Sequence, residues 1–301
     1  MAAGRSRPYR PFRPSVPLLL ATPALALLAA LALYPIAFGL WAGFHQWNWA
    51  LGQAEAWTFN GLRNYVAVFQ DRRFLHSIVV TLYFAVLAVT MELAIGLSLA
   101  LLLSNVQRGA WFFRSAVIFP LMVSDIVAGV IASVLLDPTL GPINAFLGSL
   151  GLPRPNWIGD PQLVVPVLAA VDTWWQTGNI ILILLAGLAG IPQERVEMAS
   201  LDGARGWTMF RHITLPALMP FILVAMVFRT IDALRVFALA WSITKGGPAR
   251  ATEVAQLYVF QQGIGRFFNM GYASAAASVF AMLIGLIAGV YLWAMARSRD
   301  R

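Results

Sequence analysis

Six ionisable side chains stand inside runs of the chain that are otherwise apolar: Glu92, Asp125, Asp172, Arg229, Asp232 and Arg235. A charge placed in hydrocarbon costs about 2.5–3.5 kcal/mol on insertion scales, so such groups normally face a partner or a wet cavity. Arg229 and Asp232 lie three apart, close to one helical turn, and can pair along one face. Trp174, Trp175 and Gln176 follow Asp172 and add aromatic faces and an amide, which suit the hydroxyls of a polar solute. The set has two uses. Asp125, Asp172, Trp174, Trp175, Gln176, Arg229 and Asp232 are candidates to line a path for such a solute. Alternatively, the charges neutralise one another or a second subunit. The sequence leaves both open.

A second concentration of polar groups runs from Ile191 to Pro220. Glu194, Arg195, Glu197, Asp202, Arg205, Arg211 and His212 fall here, in a chain that is only 11% charged. Gln193 to Ser200 has no Gly or Pro and suits a short helix, with Val196, Ala199 and Leu201 roughly on one face. Gly203 interrupts that pattern, as a glycine does at a turn. Trp207, Met209, Phe210 and Ile213 resume an apolar face, which Leu215-Pro216 is expected to end. An amphipathic helix–turn–helix between two membrane runs is suited to pressing on a protein outside the bilayer.

Other chemistry is excluded by residue type. The chain has no Cys, which removes disulfides, thiolate metal sites and thiol catalysis together. His45, His76 and His212 are too scattered to suggest a metal centre. A phosphate-binding loop ends in Lys followed by Ser or Thr, and the single lysine, Lys245, is followed by Gly246. Any ATP is therefore hydrolysed elsewhere, with its magnesium, and this chain is expected to bind no cofactor and to catalyse nothing alone. The +8 formal charge does not point to nucleic acid, because the positives cluster at the ends of apolar runs.

Those runs are the elements that must position the charges. The chain has 301 residues, 59% of them hydrophobic, and several stretches exceed the ~18 apolar residues of a membrane helix. Six spans are expected, over about 17–44, 77–104, 113–136, 163–189, 217–243 and 273–295. A basic tail at 1–16 (Arg5, Arg7, Arg10, Arg13) precedes a membrane domain over 17–296, and 297–301 forms a short end. Arg and Lys are densest in the tail, around Arg108 and Arg114, in the 191–216 connector and at the C-terminus. The positive-inside rule then puts both termini and the connector in the cytoplasm of a multi-pass cell-membrane protein. Trp47, Trp49 and Trp57 in the loop 45–75 suit an interfacial belt against lipid.

Residues Glu197, Ala199, Gly203, Ile213, Leu215 and Pro216 match the E-A-A-x3-G-x9-I-x-L-P pattern of membrane subunits of binding-protein-dependent ABC importers. Asp202 and Ala204 complete the "DGA" common in the sugar branch, and Met198 departs from the family's first Ala. The run Phe59-Asn60-Gly61-Leu62-Arg63-Asn64-Tyr65, and later Gly246-Gly247-Pro248, Thr252, Tyr258, Phe260 and Met270-Gly271-Tyr272, also resemble that branch. They resemble its maltose/glycerol-phosphate-type, first-permease members.

The resemblance implies an all-α integral membrane protein with six transmembrane helices and the type I ABC importer permease fold. In it, residues 191–216 would form a cytoplasmic coupling helix. Trp207 and Phe210 would add apolar contact to a docking ATPase, and Glu197 and Asp202 would anchor the loop. Implied partners are a second homologous permease, two cytoplasmic ATPase subunits and an extracytoplasmic solute-binding protein. The implied cargo is a mono-, di- or oligosaccharide, with glycerol phosphate or a polyol as the alternative. An ion-coupled secondary transporter relaying through Glu92, Asp125 or Asp172 is a further reading, but no inverted repeat supports it. A membrane enzyme lacks clustered catalytic groups.

Overall fold

A computed structural model describes residues 15–49, 57–106 and 108–299. The basic tail at 1–16, but for its last two residues, and the final residues of the 297–301 end lie outside that set.

The chain opens with α1 (Ser15–Gly43), which holds Pro23 and Pro35. A short antiparallel ribbon follows, β1 (His45–Gln46) paired to β2 (Thr58–Phe59), with His45 opposite Phe59. The expected loop 45–75 is partly helical, because α2 (Arg63–Gln70) occupies its second half. Next comes α3 (Arg72–Ser104), five residues longer at its start than the pattern of apolar residues suggested. Its start is set by Asp71, whose carboxylate accepts from the backbone N–H groups of Arg73 (2.8 Å) and Phe74 (3.4 Å), a side-chain N-cap.

The third span is not one helix. It runs as α4 (Ala110–Ile118), a tight turn Phe119–Met122, and α5 (Asp125–Leu135), and the two arms are bent by 96°. Pro120 in that turn cannot donate a backbone hydrogen bond, and Ser124 caps the new helix at the Val127 N–H (3.4 Å). The carbonyl of Val123, freed by the break, accepts from Trp175 Nε1 at 2.8 Å.

The remaining elements are α6 (Pro142–Ser149), α7 (Val164–Ala189), α8 (Gln193–Leu201) and α9 (Trp207–Met209). A π-helical turn over Phe210–Thr214 joins α9 to α10 (Leu215–Leu234), and α11 (Ala238–Thr244), α12 (Ala255–Phe260) and α13 (Met270–Arg299) complete the chain. Two expectations fail here. Leu215-Pro216 ends nothing: the helix runs unbroken from Trp207 to Leu234, with Pro216 in the first turn of α10. A proline has no N–H to return to the preceding turn, and the widened π turn lies where that donor is missing. The span also stops at Leu234 rather than 243, and α11 leaves as a separate short helix.

Among the described residues five helices are long and apolar enough to cross a membrane, and the spans number six when the bent pair is counted as one. α3 packs along most of α7, and α10 lies against both. Leu168, Ile180, Ile181, Leu184 and Leu218 are wholly or almost wholly buried among them. α1 is held chiefly by α13 and is otherwise bare of neighbours.

One end of the bundle is tied by polar groups from distant parts of the sequence. Asn64 donates to the carbonyls of Gly43 and His45, both at 2.9 Å, and so pins the end of α1. The second carboxylate oxygen of Asp71 accepts from the hydroxyls of Tyr258 and Tyr272. Arg73 pairs with Glu253 and donates to Gln261 at 2.7 Å. The two stretches around 59–74 and 246–272 are thus halves of one cluster. Burial pushes the Asp71 carboxyl up, but the hydrogen bonds from Tyr258, Tyr272, Arg73 and Phe74 outweigh it and hold it below the usual carboxylate value.

Candidate functional site

Arg229 stands at the meeting point of α3, α7 and α10. Its Nε and Nη2 reach both oxygens of Glu92 (2.5 and 2.6 Å), in the forked geometry a guanidinium offers a carboxylate. Nη2 also donates to Asp172 at 2.7 Å, and Nη1 to Asp232 at 2.5 Å. Glu92, Asp172 and Arg229 are buried, whereas the side chain of Asp232 is 60% exposed. One cation thus answers three carboxylates from three helices. The carboxylates outnumber the cation, and the open side of the group faces a cavity.

That cavity has a volume of about 250 Å³ and is walled by Asp125, Asp172, Trp175, Arg229, Asp232 and Arg235, with Phe237 and Gln256 above them. Asp125, the first residue of α5, reaches the wall only because the third span is broken. Trp174 does not reach it: consecutive residues on a helix point about 100° apart, and its side chain is half exposed on another face of α7. Gln176 is buried but accepts from Asn179 at 2.5 Å instead of lining the cavity.

Three wall residues with polar or aromatic side chains fell outside the candidates drawn from sequence. Arg235 was visible as an embedded charge one turn after Asp232. Phe237 and Gln256 were not, because the fifth span was expected to pass through 237 as helix and 256 was read as loop. These three residues also line a neighbouring space of about 530 Å³ whose other walls, Phe260, Phe280 and Ile284 among them, are apolar.

At the far end of the same helices, α8 ends in a tight double hydrogen bond. The N–H of Gly203 donates to the carbonyl of Ser200 (3.1 Å) and that of Ala204 to Ala199 (2.8 Å), the paired closure of a helix C-terminus. It requires a left-handed residue, and Gly203 has φ of +85°. Gly206, absent from the sequence candidates, is a second such point, at φ +51° and ψ −116°. Ala199 is buried and Ala204 half-buried, but Leu201 is 88% exposed, so Val196, Ala199 and Leu201 do not form one buried face.

Trp207 and Phe210 stack with centroids 5.2 Å apart, and Trp207 is 71% exposed. Ile213 and Leu215 are half-buried, and Pro216 is exposed. Glu197, Trp207 and Phe210 line a groove of about 1080 Å³ with Ser104 and Arg114. The carboxylates of Glu197 and Asp202 make no side-chain hydrogen bond or ion pair among the described residues, so neither anchors the loop from within.

Residues 92–298 match the family described as the binding-protein-dependent transport system inner membrane component. The trehalose/maltose transport system permease protein MalF of Thermococcus litoralis is 34% identical over 84% of this chain and 83% of its own length. The sn-glycerol-3-phosphate transport system permease protein UgpA of Agrobacterium fabrum is 32% identical, with 91% of each chain covered. A chain of the bacterial alginate ABC transporter, crystallised in complex with an alginate pentasaccharide-bound periplasmic protein, superposes with a TM-score of 0.76. It is 26% identical, covering 90% of this chain and 92% of that one. With its broken third span, shared ion cluster and helical connector, this multi-pass membrane protein belongs to the family of binding-protein-dependent transport system inner membrane components.

Proposed function

We propose that the chain is one of two homologous permeases enclosing a path for a carbohydrate, and that it passes the work of two cytoplasmic ATPases to that path. The cargo is a mono-, di- or oligosaccharide delivered by an extracytoplasmic binding protein. Both termini lie in the cytoplasm, and ATP and magnesium are held by the ATPases.

The observation that carries this reading is that α7 and α10 do two jobs. Between them they supply Asp172, Trp175, Arg229 and Asp232 to the cavity, and they are joined by the 191–216 connector. A protein that moves the connector therefore moves the cavity walls. Within the connector, Glu197, Ala199, Asp202, Gly203 and Ala204 form the docking turn. Trp207 and Phe210 supply its apolar face, and Ile213, Leu215 and Pro216 carry the motion into α10. In the cavity, carboxylates accept hydrogen bonds from sugar hydroxyls while Trp175 offers a ring face. The likeness to MalF and to the alginate transporter, both named for saccharides, supports the cargo class.

The test is purification of the tagged chain from its native membrane, followed by reconstitution. Co-purification of a Walker-motif ATPase and a second six-span permease, with ATP-driven uptake of a saccharide, is the expected result. Recovery of the chain alone, with uptake that follows a proton or sodium gradient, overturns it.

A further inference from the structure

We infer that the solute passing this cavity is uncharged, and that the cavity itself rejects a sugar or polyol carrying a phosphate, sulfonate or carboxylate. This rests on the carbohydrate reading above and narrows it. A relative named for neutral trehalose and maltose and one named for anionic sn-glycerol-3-phosphate are similar to this chain to about the same degree, so similarity does not decide the matter.

The charges on the wall do decide it. Asp125, Asp172 and Asp232 line the cavity, against the guanidiniums of Arg229 and Arg235. Arg229 is already committed. Four of its five N–H groups point at carboxylate oxygens, two of them on Glu92, which lies behind the wall with no exposed surface. With Glu92 included, four acids share two cations, and the sum stays negative when any one carboxyl takes a proton. Arg235 has no carboxylate partner among the described residues and is the group an anion would seek. Asp232 precedes it by one helical turn, however, and Asp125 lines the same cavity. Arg229 offsets one of the four acids and Arg235 another, and two remain uncompensated.

Hydrogen bonding points the same way. Ionised carboxylates only accept, so they match hydroxyl groups, which donate. A phosphate or sulfonate brings more acceptors to a wall already made of them. The neighbouring space shares Arg235, Phe237 and Gln256 with the cavity, and together the two fall in the volume range of a small-molecule site. Its apolar walls offer no further positive charge.

The experiment uses the whole complex in liposomes, with its binding protein, and matched pairs of solutes. The pairs are glucose and glucose 6-phosphate, trehalose and trehalose 6-phosphate, and glycerol and glycerol 3-phosphate. ATP-driven uptake of the neutral member should exceed that of its phosphate by about tenfold or more, the scale of one uncompensated like charge in a partly wet site. Asp125→Asn, which removes a wall charge that has no ion pair among the described residues, should narrow the ratio by about threefold, and Asp232→Asn should act in the same direction. Faster uptake of the phosphates overturns the inference and leaves the carbohydrate reading standing. A ratio unchanged in both variants also overturns it, because selection would then lie in the binding protein alone. Uptake of neither member of any pair, by a complex that hydrolyses ATP, overturns the carbohydrate reading itself.

Discussion

The chain carries its charges in two places and treats them in opposite ways. Around Arg229 the three contacting carboxylates are answered from within the chain, and no buried side-chain polar atom among the described residues lacks a hydrogen-bond partner. Along the connector, Glu194, Arg195, Glu197, Asp202, Arg205 and Arg211 stand exposed and form no side-chain pair among the described residues. The first group lies where unpaired charge is costly, so folding must neutralise it. The second stands in water, where leaving a charge unpaired costs little. Burial obliges the cluster to be paired within the chain, and the connector is left free to be answered by another surface.

Breaking the cluster should have the largest effect. Arg229→Leu strands Glu92 and Asp172 in the interior without a cation, a loss of about 3–5 kcal/mol for a broken buried pair. The expected outcome is little or no monodisperse protein after detergent extraction. A normal melting profile would mean that the carboxylates are neutral or solvated without Arg229.

Gly203→Asp comes next. The left-handed backbone at φ +85° disfavours a side chain by about 1–2 kcal/mol, and a side chain added there enters open space at the end of α8. The protein should reach the membrane and melt within a few degrees of the parent, while ATP hydrolysis no longer drives uptake. Normal uptake would remove the connector from the coupling route.

Asp71 is an intermediate case, half way between buried and exposed, and it titrates. Its carboxyl sits below the usual value, so the stability it adds is present above the ordinary carboxylate range and is lost as pH falls through the depressed folded value. Thermal stability should hold from neutrality down to about pH 4 and decline below it. Tyr258→Phe, which removes one of its hydrogen bonds, should cost about 1 kcal/mol at neutral pH and make that decline shallower, because the folded value moves back toward the unfolded one. An unaltered acid limb would show that Asp71 does not set it.

The smallest effect belongs to the connector itself. Glu197→Gln and Arg205→Gln should each change the melting temperature of the chain alone by less than about 0.5 kcal/mol equivalent. A larger change would reveal an internal partner for these groups.

Much of this was legible in the residues. Hydropathy located all six spans, and the three-residue spacing of Arg229 and Asp232 foretold their pair. The helix of the connector and its turn at Gly203 were also visible. Helix ends were less so, because they are set by single hydrogen bonds: Asp71 moved one start upstream, and the π turn let α10 absorb Pro216. The 96° bend at Val123-Ser124 was hidden because Pro120 alone does not say whether a membrane helix kinks or breaks. Without that bend, Asp125 could not reach the cavity that Asp172 lines. Trp174 was misjudged for a simpler reason: adjacency in sequence is not adjacency on a helix.

The unbroken run from Trp207 to Leu234 behaves as a lever. Its 28 residues give an arm about 40 Å long, with Trp207 at one tip and Arg229 near the other. A tilt of about ten degrees about the middle would carry each tip some 3–4 Å in opposite directions. Because the guanidinium rivets that arm to α3 and α7, the three helices would swing as one body instead of sliding past one another. The bent third span and α11 take no part in that ion cluster, and it is against them that the swing would open or shut the cavity.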